Sequence, residues 1–272
     1  MGFDRNAADD QAFGHKPVLL DECLDALDIK PEGIYLDGTL GRAGHSLEIA
    51  KRLTTGRLIC LDRDETAIEA AKIRLADYKD RVTLVHSNFS RIADVLREMD
   101  IGGVDGMLFD LGVSSPQLDE ADRGFSYMHD APLDMRMDRT AALTARDVVN
   151  DWSYEDLRRI LFEYGEERYA PAIAKAIVSR RQESPIETTG QLVSIIRGAM
   201  PPAALREKQH PAKRSFQAIR IAVNDELGEL PPMLQAASDA LRPGGRLAVI
   251  SFHSLEDRII KKTLQELSTG CT

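Results

Sequence analysis

The chain has 272 residues, of which 43% are hydrophobic, and its formal net charge at pH 7 is −9. This apolar content supports a folded core and excludes a disordered chain. No apolar run approaches the roughly 18 residues that a membrane-spanning helix needs, and Met1–Gly14 lacks the apolar segment of a signal peptide, so we expect a frayed tail there. The spacing of Cys23, Cys60 and Cys271 favours free thiols in a reducing cytoplasm over a disulfide framework or a metal site.

Short apolar runs that end in turn-forming or polar residues predict buried strands. In chain order these runs are Ile34–Leu36, Arg57–Leu61, Val82–Val85, Gly106–Phe109 and Leu247–Ile250. Helical spacing of apolar residues follows the first two runs, over Ser46–Leu53 and Thr66–Leu75. The alternation is typical of a parallel α/β sheet, in which ligands bind beyond the carboxyl ends of the strands. The residues expected at that edge are Asp37, Asp62, Ser87, Asn88, Asp110 and His253.

The alternation of strands and helices stops after Asp110. Helical patterns then occupy Ala145–Ile196, and a further helical stretch, Ser215–Leu241, leads to the turn Pro243-Gly244-Gly245. We therefore predict a core domain formed by residues 1–119 and 221–272. Residues 120–220 are predicted to form an inserted, all-helical subdomain for substrate recognition.

A glycine-rich turn, Asp37–His45, follows the first strand. Gly38, Gly41 and Gly44 allow a tight turn and a close approach of the backbone to a ligand, and the following helix offers free N–H groups. Their spacing differs from the GxGxxG expected for a dinucleotide. A plain strand-to-helix connection would explain the same glycines.

Asp62 ends the second strand, where a carboxylate can accept hydrogen bonds from both hydroxyls of a ribose. S-adenosylmethionine and nicotinamide cofactors both contain that ribose. Asp37 would repel a pyrophosphate but attract an ammonium group, which favours S-adenosylmethionine. Phe89 follows the third strand and either packs on the adenine ring or belongs to the ordinary core.

Asp110, Ser114 and Ser115 follow the fourth strand. An aromatic exocyclic amine is a poor nucleophile because its lone pair is delocalised into the ring. Fixed oxygen atoms that accept hydrogen bonds from its N–H groups favour the reactive, pyramidal amine. These three residues are therefore the candidate catalytic groups, although serines and a proline also form ordinary turns.

Several longer segments occur in a fixed order: His15–Leu20, Asp37–Ser46, Asp110–Gln117, Arg123–Tyr127, Pro132–Asp138, Tyr164–Arg168 and Ser251–Arg258. Together they resemble the 16S rRNA cytosine-N4 methyltransferase family, ribosomal RNA small subunit methyltransferase H, over nearly the whole chain from His15. The resemblance implies a Rossmann-like class I methyltransferase sheet and S-adenosylmethionine as the cofactor. It also implies N4-methylation of a cytidine in the decoding region of 16S ribosomal RNA.

By matching positions, the resemblance implies cofactor contacts at Ala43, Gly44, His45, Asp62, Phe89, Asp110 and Gln117. Asp37 and Gly41, in the glycine-rich turn, are further candidate cofactor contacts. Two features depart from the family pattern. Members often have glycine at the position of Ala43, where a methyl group narrows the approach to the backbone slightly, and the family usually continues beyond Thr272.

The charge is distributed unevenly along the chain. Leu157–Arg220 contains 12 Lys+Arg and 6 Asp+Glu, a local balance of +6, so the remainder carries −15. This asymmetry predicts a basic face on an acidic body, although chance clustering on solvated helices would give the same count. Lys213 and Arg214 are candidate contacts to RNA phosphates.

The remaining candidates concern the target base. Phe125 and Tyr127 either stack on a base that has left its helix or belong to the core. His253 lies at the predicted sheet edge and is a candidate substrate contact. Ser254 with Asp257 matches a helix capping box, which we favour over a hydrolase nucleophile.

Two alternatives remain open at this stage: a non-catalytic, cofactor-binding ribosome-assembly factor and a nicotinamide-dependent oxidoreductase on the same sheet. The expected partner is 16S ribosomal RNA within the small ribosomal subunit, in the cytoplasm, without a membrane or a metal ion. The sequence leaves the oligomeric state and the need for a catalytic base undetermined.

Overall fold

The structure is a computed structural model that describes residues 17–269. The predicted tail Met1–Gly14, the first two residues of the segment His15–Leu20, and Cys271 lie outside the described residues. The chain divides into two compact units. Within the described residues, the first contains residues 17–112 and 229–269, and the second is Val113–Gly228.

These boundaries differ from the predicted ones at residues 119/120 and 220/221. Helix Lys213–Asn224 runs unbroken through residue 220, so its last turn belongs to the inserted unit. At the other boundary, the short helix Ser115–Asp119 also belongs to the insertion, which begins at Val113. The prediction therefore left both ends of the inserted unit in the core.

A five-stranded sheet forms the centre of the first unit, with the strand order β3-β2-β1-β4-β5 and only parallel pairs. The strands are β1 (Ile34–Asp37), β2 (Arg57–Asp62), β3 (Val82–His86), β4 (Val104–Asp110) and β5 (Leu241–Ile250). The predicted Rossmann-like α/β class is confirmed. Each strand contains its predicted apolar run, because a parallel sheet covered on both faces selects continuous buried segments.

The helices of the two units are numbered together along the chain. They are α1 (Leu20–Leu27), α2 (Gly44–Arg52), α3 (Glu65–Arg74), α4 (Ile92–Glu98), α5 (Ser115–Asp119), α6 (Ala145–Asp151), α7 (Tyr154–Glu163), α8 (Ala170–Arg181), α9 (Thr189–Ala199), α10 (Lys213–Asn224), α11 (Leu230–Ala240) and α12 (Ser254–Ser268). Short 3-10 turns cover Ala76–Tyr78, Phe89–Arg91, Ala121–Arg123 and Ala204–Arg206. Among the described residues, no helix is both long and apolar enough to cross a membrane.

The predicted turn Pro243-Gly244-Gly245 lies inside the bounds of β5. The pairing between β4 and β5 jumps there, since Leu241 pairs with Val104 but the next partner, Arg246, pairs with Gly106. Gly244 has φ +81, a conformation that glycine adopts without strain. The predicted change of direction therefore exists as an irregularity within the strand.

The second unit is helical, as predicted, and has its own hydrophobic core. Fully buried aliphatic side chains of α7, α8 and α9, such as Ile160, Ile173 and Leu192, meet in this core. Thr144, Ser153 and Thr188 cap α6, α7 and α9 by accepting hydrogen bonds from backbone N–H groups. The insertion is therefore a folded unit and not an extended loop.

Two details of the helical prediction are wrong. The stretch Ser215–Leu241 forms two helices, α10 and α11, because Asp225 adopts a left-handed conformation, with φ 48° and ψ 41°, and ends the first helix. Pro231 and Pro232 then open the second helix, where a missing N–H is tolerated. At α12 the cap is His253 rather than Ser254, since the His253 side chain accepts a hydrogen bond from the Glu256 N–H.

Candidate active site

The carboxyl ends of the strands bring three aspartates to one edge of the sheet, as the sequence predicts. Asp37, Asp62 and Asp110 are the last residues of β1, β2 and β4. The chain adds β2 and β3 on one side of β1 and then returns to place β4 on the other side. Ligands bind in open α/β sheets at the crevice that such a reversal creates.

The turn between β1 and α2 leaves its backbone open at Gly41. This residue has φ +49, in the left-handed region. Apart from its two chain neighbours, a methyl group added there would meet only the Thr39 carbonyl oxygen within 4 Å among the described residues, at 3.9 Å. The backbone at Gly41 therefore has the open space that the predicted close approach of a ligand would need.

The other two glycines of the turn make room for protein atoms. A Cβ atom at Gly38 would overlap the ring of Phe109, and one at Gly44 would overlap the ring of Pro17. The predicted close approach of a ligand to these two glycines is thus a close approach of neighbouring side chains. Gly44 still begins α2, so its N–H group belongs to the free N-terminal end of that helix.

Ala43 occupies the position where the family often has glycine. It precedes α2 with φ 57° and ψ 30°, a left-handed conformation that costs an L-residue roughly 1–2 kcal/mol. Its methyl group is completely buried in the core of the first unit, which offsets part of this cost. The methyl group therefore faces the core, and the departure adds strain to the turn.

Asp37 is turned inward and organises the glycine turn. Its side chain is 1% exposed, Oδ2 accepts a hydrogen bond from Ser46 Oγ at 2.6 Å, and Oδ1 accepts one from the Thr39 N–H at 3.1 Å. Burial raises the pKa of Asp37, although the Ser46 hydrogen bond lowers it. Its carboxylate therefore lies beneath the glycine turn and influences the site through its charge.

Asp62 connects the second strand to the glycine turn. Its Oδ2 accepts a hydrogen bond from the Gly41 N–H at 2.8 Å, and Oδ1 accepts one from the Asp64 N–H at 2.8 Å. Burial raises the pKa of Asp62 to about 6, against the lowering effect of these two bonds. Each carboxylate oxygen has a second lone pair, so both can still accept hydrogen bonds from a ribose.

Asp110 and His45 face each other across the crevice. Asp110 Oδ2 lies 3.8 Å from His45 Nδ1, while His45 Nε2 lies 3.0 Å from the Val18 carbonyl oxygen and donates to it. Burial raises the pKa of Asp110 to about 6; His45 opposes this shift, and the charges of Asp37 and Glu256 add to it. Oδ1 of Asp110 is buried and makes no hydrogen bond within the described part of the chain.

Phe89 lies just beyond β3 in the 3-10 turn Phe89–Arg91 and is 7% exposed. Its ring packs edge-on against Phe109, with ring centroids 6.1 Å apart, and the Arg63 guanidinium lies 5.6 Å from its centroid. Both interpretations of Phe89 place it near the sheet edge. These contacts pack the Phe89 ring between Phe109 and Arg63.

The segment after β5 is fixed by a buried carboxylate. The Phe252 N–H donates to Glu256 Oε2 at 2.8 Å, and Glu256 is only 2% exposed. His253 Nδ1 accepts a hydrogen bond from the Glu256 N–H at 3.5 Å, and its Nε2 lies 3.3 Å from Glu256 Oε1. His253 therefore caps α12 at the sheet edge, where the sequence predicts a substrate contact.

Two residues that no sequence pattern indicated also hold this edge together. Thr39 accepts a hydrogen bond from the Asp110 N–H through Oγ1 at 2.5 Å, so it joins the glycine turn to the end of β4. Glu256 adds negative charge near Asp110 from the start of α12. The motifs Asp37–Ser46 and Ser251–Arg258 contain both residues, but only the folded chain shows that they act on Asp110.

Ser114, Ser115 and Gln117 belong to the second unit, at the start of α5. Ser114 and Gln117 form a capping box: the Gln117 side chain accepts from the Ser114 N–H at 3.0 Å, and the Ser114 side chain bonds the Gln117 backbone. The pattern Ser-Ser-Pro-Gln predicts such a box, and the sequence analysis overlooked it. Gln117 therefore stabilises a helix start, whatever else it contacts.

The two aromatic candidates lie in the core of the second unit or against it. Phe125 is 5% exposed and belongs to that core. Tyr127 is half-buried and stacks on His210, with ring centroids 4.5 Å apart and an interplanar angle of 12°. It also meets Phe216 edge-on at 5.7 Å. These contacts agree with the interpretation of both residues as packing residues.

Lys213 and Arg214 form the exposed first turn of α10. Arg214 Nη1 donates to the Glu166 carbonyl oxygen at 2.6 Å. The first turn of α10 contains no acidic residue and no side-chain cap. Cations are unfavourable at the positive end of a helix dipole, so this arrangement favours an anionic partner over a stabilising role.

The chain matches known proteins over most of its length. Residues 12–272 match the model of the MraW methylase family. Proteins named ribosomal RNA small subunit methyltransferase H from Symbiobacterium thermophilum and Brevibacillus brevis are 58% and 55% identical over 262 residues. Each alignment covers 96% of this chain, and 82% and 83% of the respective relative.

Two solved structures that the chain matches share less of its sequence. An rRNA methylase from Clostridium thermocellum shares 13% identity with a TM-score of 0.44, over 93% of this chain and 82% of that one. A methyltransferase from Streptococcus mutans, in complex with SAH, shares 11% identity with a TM-score of 0.42, over 94% of this chain and 84% of that one. TM-scores this low add nothing to an assignment of function.

Proposed function

The chain belongs to the MraW methylase family, and we propose that it methylates N4 of a cytidine in the decoding region of 16S ribosomal RNA. S-adenosylmethionine is its cofactor. The proposal rests on the relatives named ribosomal RNA small subunit methyltransferase H and on the chemistry of the sheet edge. One observation carries the chemical part: Oδ1 of Asp110 is buried and has no hydrogen-bond partner among residues 17–269.

The sheet edge suits a cation. Asp37, Asp62, Asp110 and Glu256 place negative charge around the crevice, and burial raises the pKa of the first three. A pyrophosphate would add further negative charge to these carboxylates, whereas a cofactor with a sulfonium and an ammonium group would relieve their repulsion. The residues present therefore fit S-adenosylmethionine and argue against a nicotinamide dinucleotide.

Residues at the sheet edge would each hold a different part of the cofactor. Asp62 would accept hydrogen bonds from the ribose, and the open backbone at Gly41 would lie against the nucleoside. Asp110 would attract the cationic part, and Phe89 would flank the adenine. We also retain Asp37, Ala43, Gly44, His45 and Gln117 as proposed members of the cofactor site, with Asp37 acting through its charge.

Asp110 is also the proposed acceptor for the cytidine amine. With a pKa of about 6 it is ionised at neutral pH, so the Asp110 carboxylate can accept a hydrogen bond from an N4–H group. When bound, S-adenosylmethionine supplies an electrophilic methyl group. The amine nitrogen would gain this methyl group as the methyl–sulfur bond breaks and its electron pair stays on sulfur, and it would lose one proton, which the Asp110 carboxylate can accept. Ser114 and Ser115 are proposed as further hydrogen-bond acceptors.

The RNA side of the proposal depends on the second unit. Lys213 and Arg214, at the free N-terminus of α10, are proposed to bind phosphates. His253 is proposed to contact the target nucleotide. Cys23 and Cys60 are free and buried, which suits the reducing cytoplasm that we propose as the location.

A transfer assay tests the proposal. The purified protein, S-adenosylmethionine with a labelled methyl group, and small ribosomal subunits from cells lacking this enzyme would be combined, with free 16S RNA in parallel. We expect label in the RNA of one or both substrates and none with Asp110→Asn. Cofactor binding without transfer to either substrate would instead indicate the non-catalytic assembly factor.

A further inference from the structure

Phe252 is a solvent-exposed aromatic residue at the edge of the sheet. Its side chain is 56% exposed, although it comes just two residues after the end of β5. It belongs to neither hydrophobic core among the described residues. Single exposed apolar residues are common on protein surfaces, so the case for a role of Phe252 rests on where its ring lies and not on its exposure alone.

The ring lies beside the chain that continues from Asp110. Ile250 pairs with Asp110, and the Leu111 N–H donates to the Ile250 carbonyl oxygen at 3.1 Å. Cδ2 of Phe252 lies 3.5 Å from the point where a Cβ of Gly112 would be. Because Gly112 has no side chain, no side chain of that residue separates its backbone from the ring, two residues after the proposed amine acceptor.

The backbone under the ring is held firmly. Phe252 donates its N–H to the buried Glu256 carboxylate, and His253 caps the helix that begins immediately afterwards. The exposed ring is therefore attached to an ordered backbone, which lowers the entropy cost of a stacking contact. A ring on a mobile loop would lose more entropy on stacking.

We propose that Phe252 is the platform on which the target cytosine stacks when it reaches the active site. The inference rests on the proposed function and names the residue that positions its base. A base in structured RNA must leave its stack to meet a cofactor, and an aromatic ring replaces part of the lost stacking. Phe125 and Tyr127 already pack against side chains of the second unit, whereas the exposed ring of Phe252 can stack on a base.

The chain provides a matched control. Phe162, in α7, is also an exposed phenylalanine, with 65% of its side chain accessible. The test compares Phe252→Ala, Phe252→Leu, Phe252→Tyr and Phe162→Ala with the wild type. The readouts are kcat and KM for RNA methylation, the Kd for S-adenosylmethionine by calorimetry, and the melting temperature.

Loss of one base–aromatic stack corresponds to about a 5- to 150-fold effect. We expect Phe252→Ala and Phe252→Leu to lower kcat/KM for RNA by this factor, with cofactor Kd and melting temperature unchanged. Phe252→Tyr and Phe162→Ala are expected to behave as the wild type. Equal activity of Phe252→Ala and the wild type would overturn the inference.

Two further outcomes separate the possible failures. Equal losses in Phe252→Leu and Phe252→Tyr would overturn the inference, because the position would then require phenylalanine for shape and not for stacking. A wild-type protein that methylates RNA at another base would sink the proposed function, and the cytosine platform with it. A full effect on assembled subunits with none on free RNA would contradict base stacking and indicate contact with a ribosomal protein.

Discussion

His45 Nδ1 lies 3.8 Å from Asp110 Oδ2, while the opposite nitrogen of the same ring donates to the Val18 carbonyl oxygen. The imidazole therefore presents one fixed edge to the carboxylate that we propose as the amine acceptor. Burial raises the pKa of Asp110 to about 6, and the interaction with His45 limits that rise. The pair sets the pH range in which Asp110 can accept a proton.

The rate of methyl transfer should therefore fall as the pH drops through about 6, because protonated Asp110 can no longer accept the amine proton. His45→Gln should move this limb of the profile to higher pH, since it removes the partner that favours the charged carboxylate. The measurement is the single-turnover rate constant for methyl transfer across the pH range. An unchanged limb in His45→Gln would show that the two groups are not coupled.

Neutralising Asp110 should stabilise the protein. The ordinary pKa of this carboxyl is 3.8 and the folded-state value is about 6, so the unfolded chain ionises first as the pH rises. Stability is then lost between about pH 4 and pH 6, and the penalty persists above that range. Asp110→Asn should therefore raise the free energy of unfolding by up to about 3 kcal/mol at neutral pH, and by almost nothing near pH 4.

Urea unfolding of the cofactor-free protein at the two pH values checks this expectation. Asp94→Asn is the control, because Arg97 and Arg91 lower the pKa of Asp94 and its neutralisation should not stabilise. A variant at Asp110 that is less stable than wild type at neutral pH would contradict the assignment of a desolvated carboxylate.

Asp62→Ala should weaken S-adenosylmethionine binding by roughly 1–3 kcal/mol, because it removes charged hydrogen bonds to the ribose. The Gly41 N–H would also lose its acceptor, which loosens the open part of the turn. Calorimetry with Asp77→Ala, an exposed carboxylate in the same unit, provides the comparison. Unaltered affinity in Asp62→Ala would remove the ribose assignment.

Neutralising Lys213 and Arg214 should weaken RNA binding and flatten its salt dependence. Each lost phosphate contact reduces the slope of log K against log salt by about 0.7–0.9. Lys261→Gln with Lys262→Gln removes the same charge from α12 and serves as the control. Equal slopes for the two double variants would mean that only net charge matters, and not the start of α10.

Much of the sheet was predictable from the sequence. Buried parallel strands require continuous apolar runs, and the turn that ends each run places its polar residues at the carboxyl edge, so Asp37, Asp62 and Asp110 were predictable together. The inserted helical unit was also predictable, because the spacing of apolar residues after Asp110 changes from short strand runs to a helical period. Its boundaries were not, because helix α10 continues past residue 220 without any change in pattern.

The details of the site depended on contacts between distant segments. Nothing local distinguishes Asp37, which points inward to Ser46, from Asp110, whose Oδ1 has no partner within residues 17–269. The break at Asp225 is a single left-handed residue that periodicity does not detect. The exposure of Phe252 and the burial of Phe125 likewise follow from packing, which the pattern of either segment leaves open.

The central claim is tested most directly by mass mapping of methylated nucleosides in 16S ribosomal RNA from cells with and without this enzyme. We expect N4-methylated cytidine, at one position in the decoding region, to disappear when the enzyme is absent and to return with the wild type but not with Asp110→Asn. An unchanged level of N4-methylated cytidine, or the loss of a methyl group from a different base, would contradict the account.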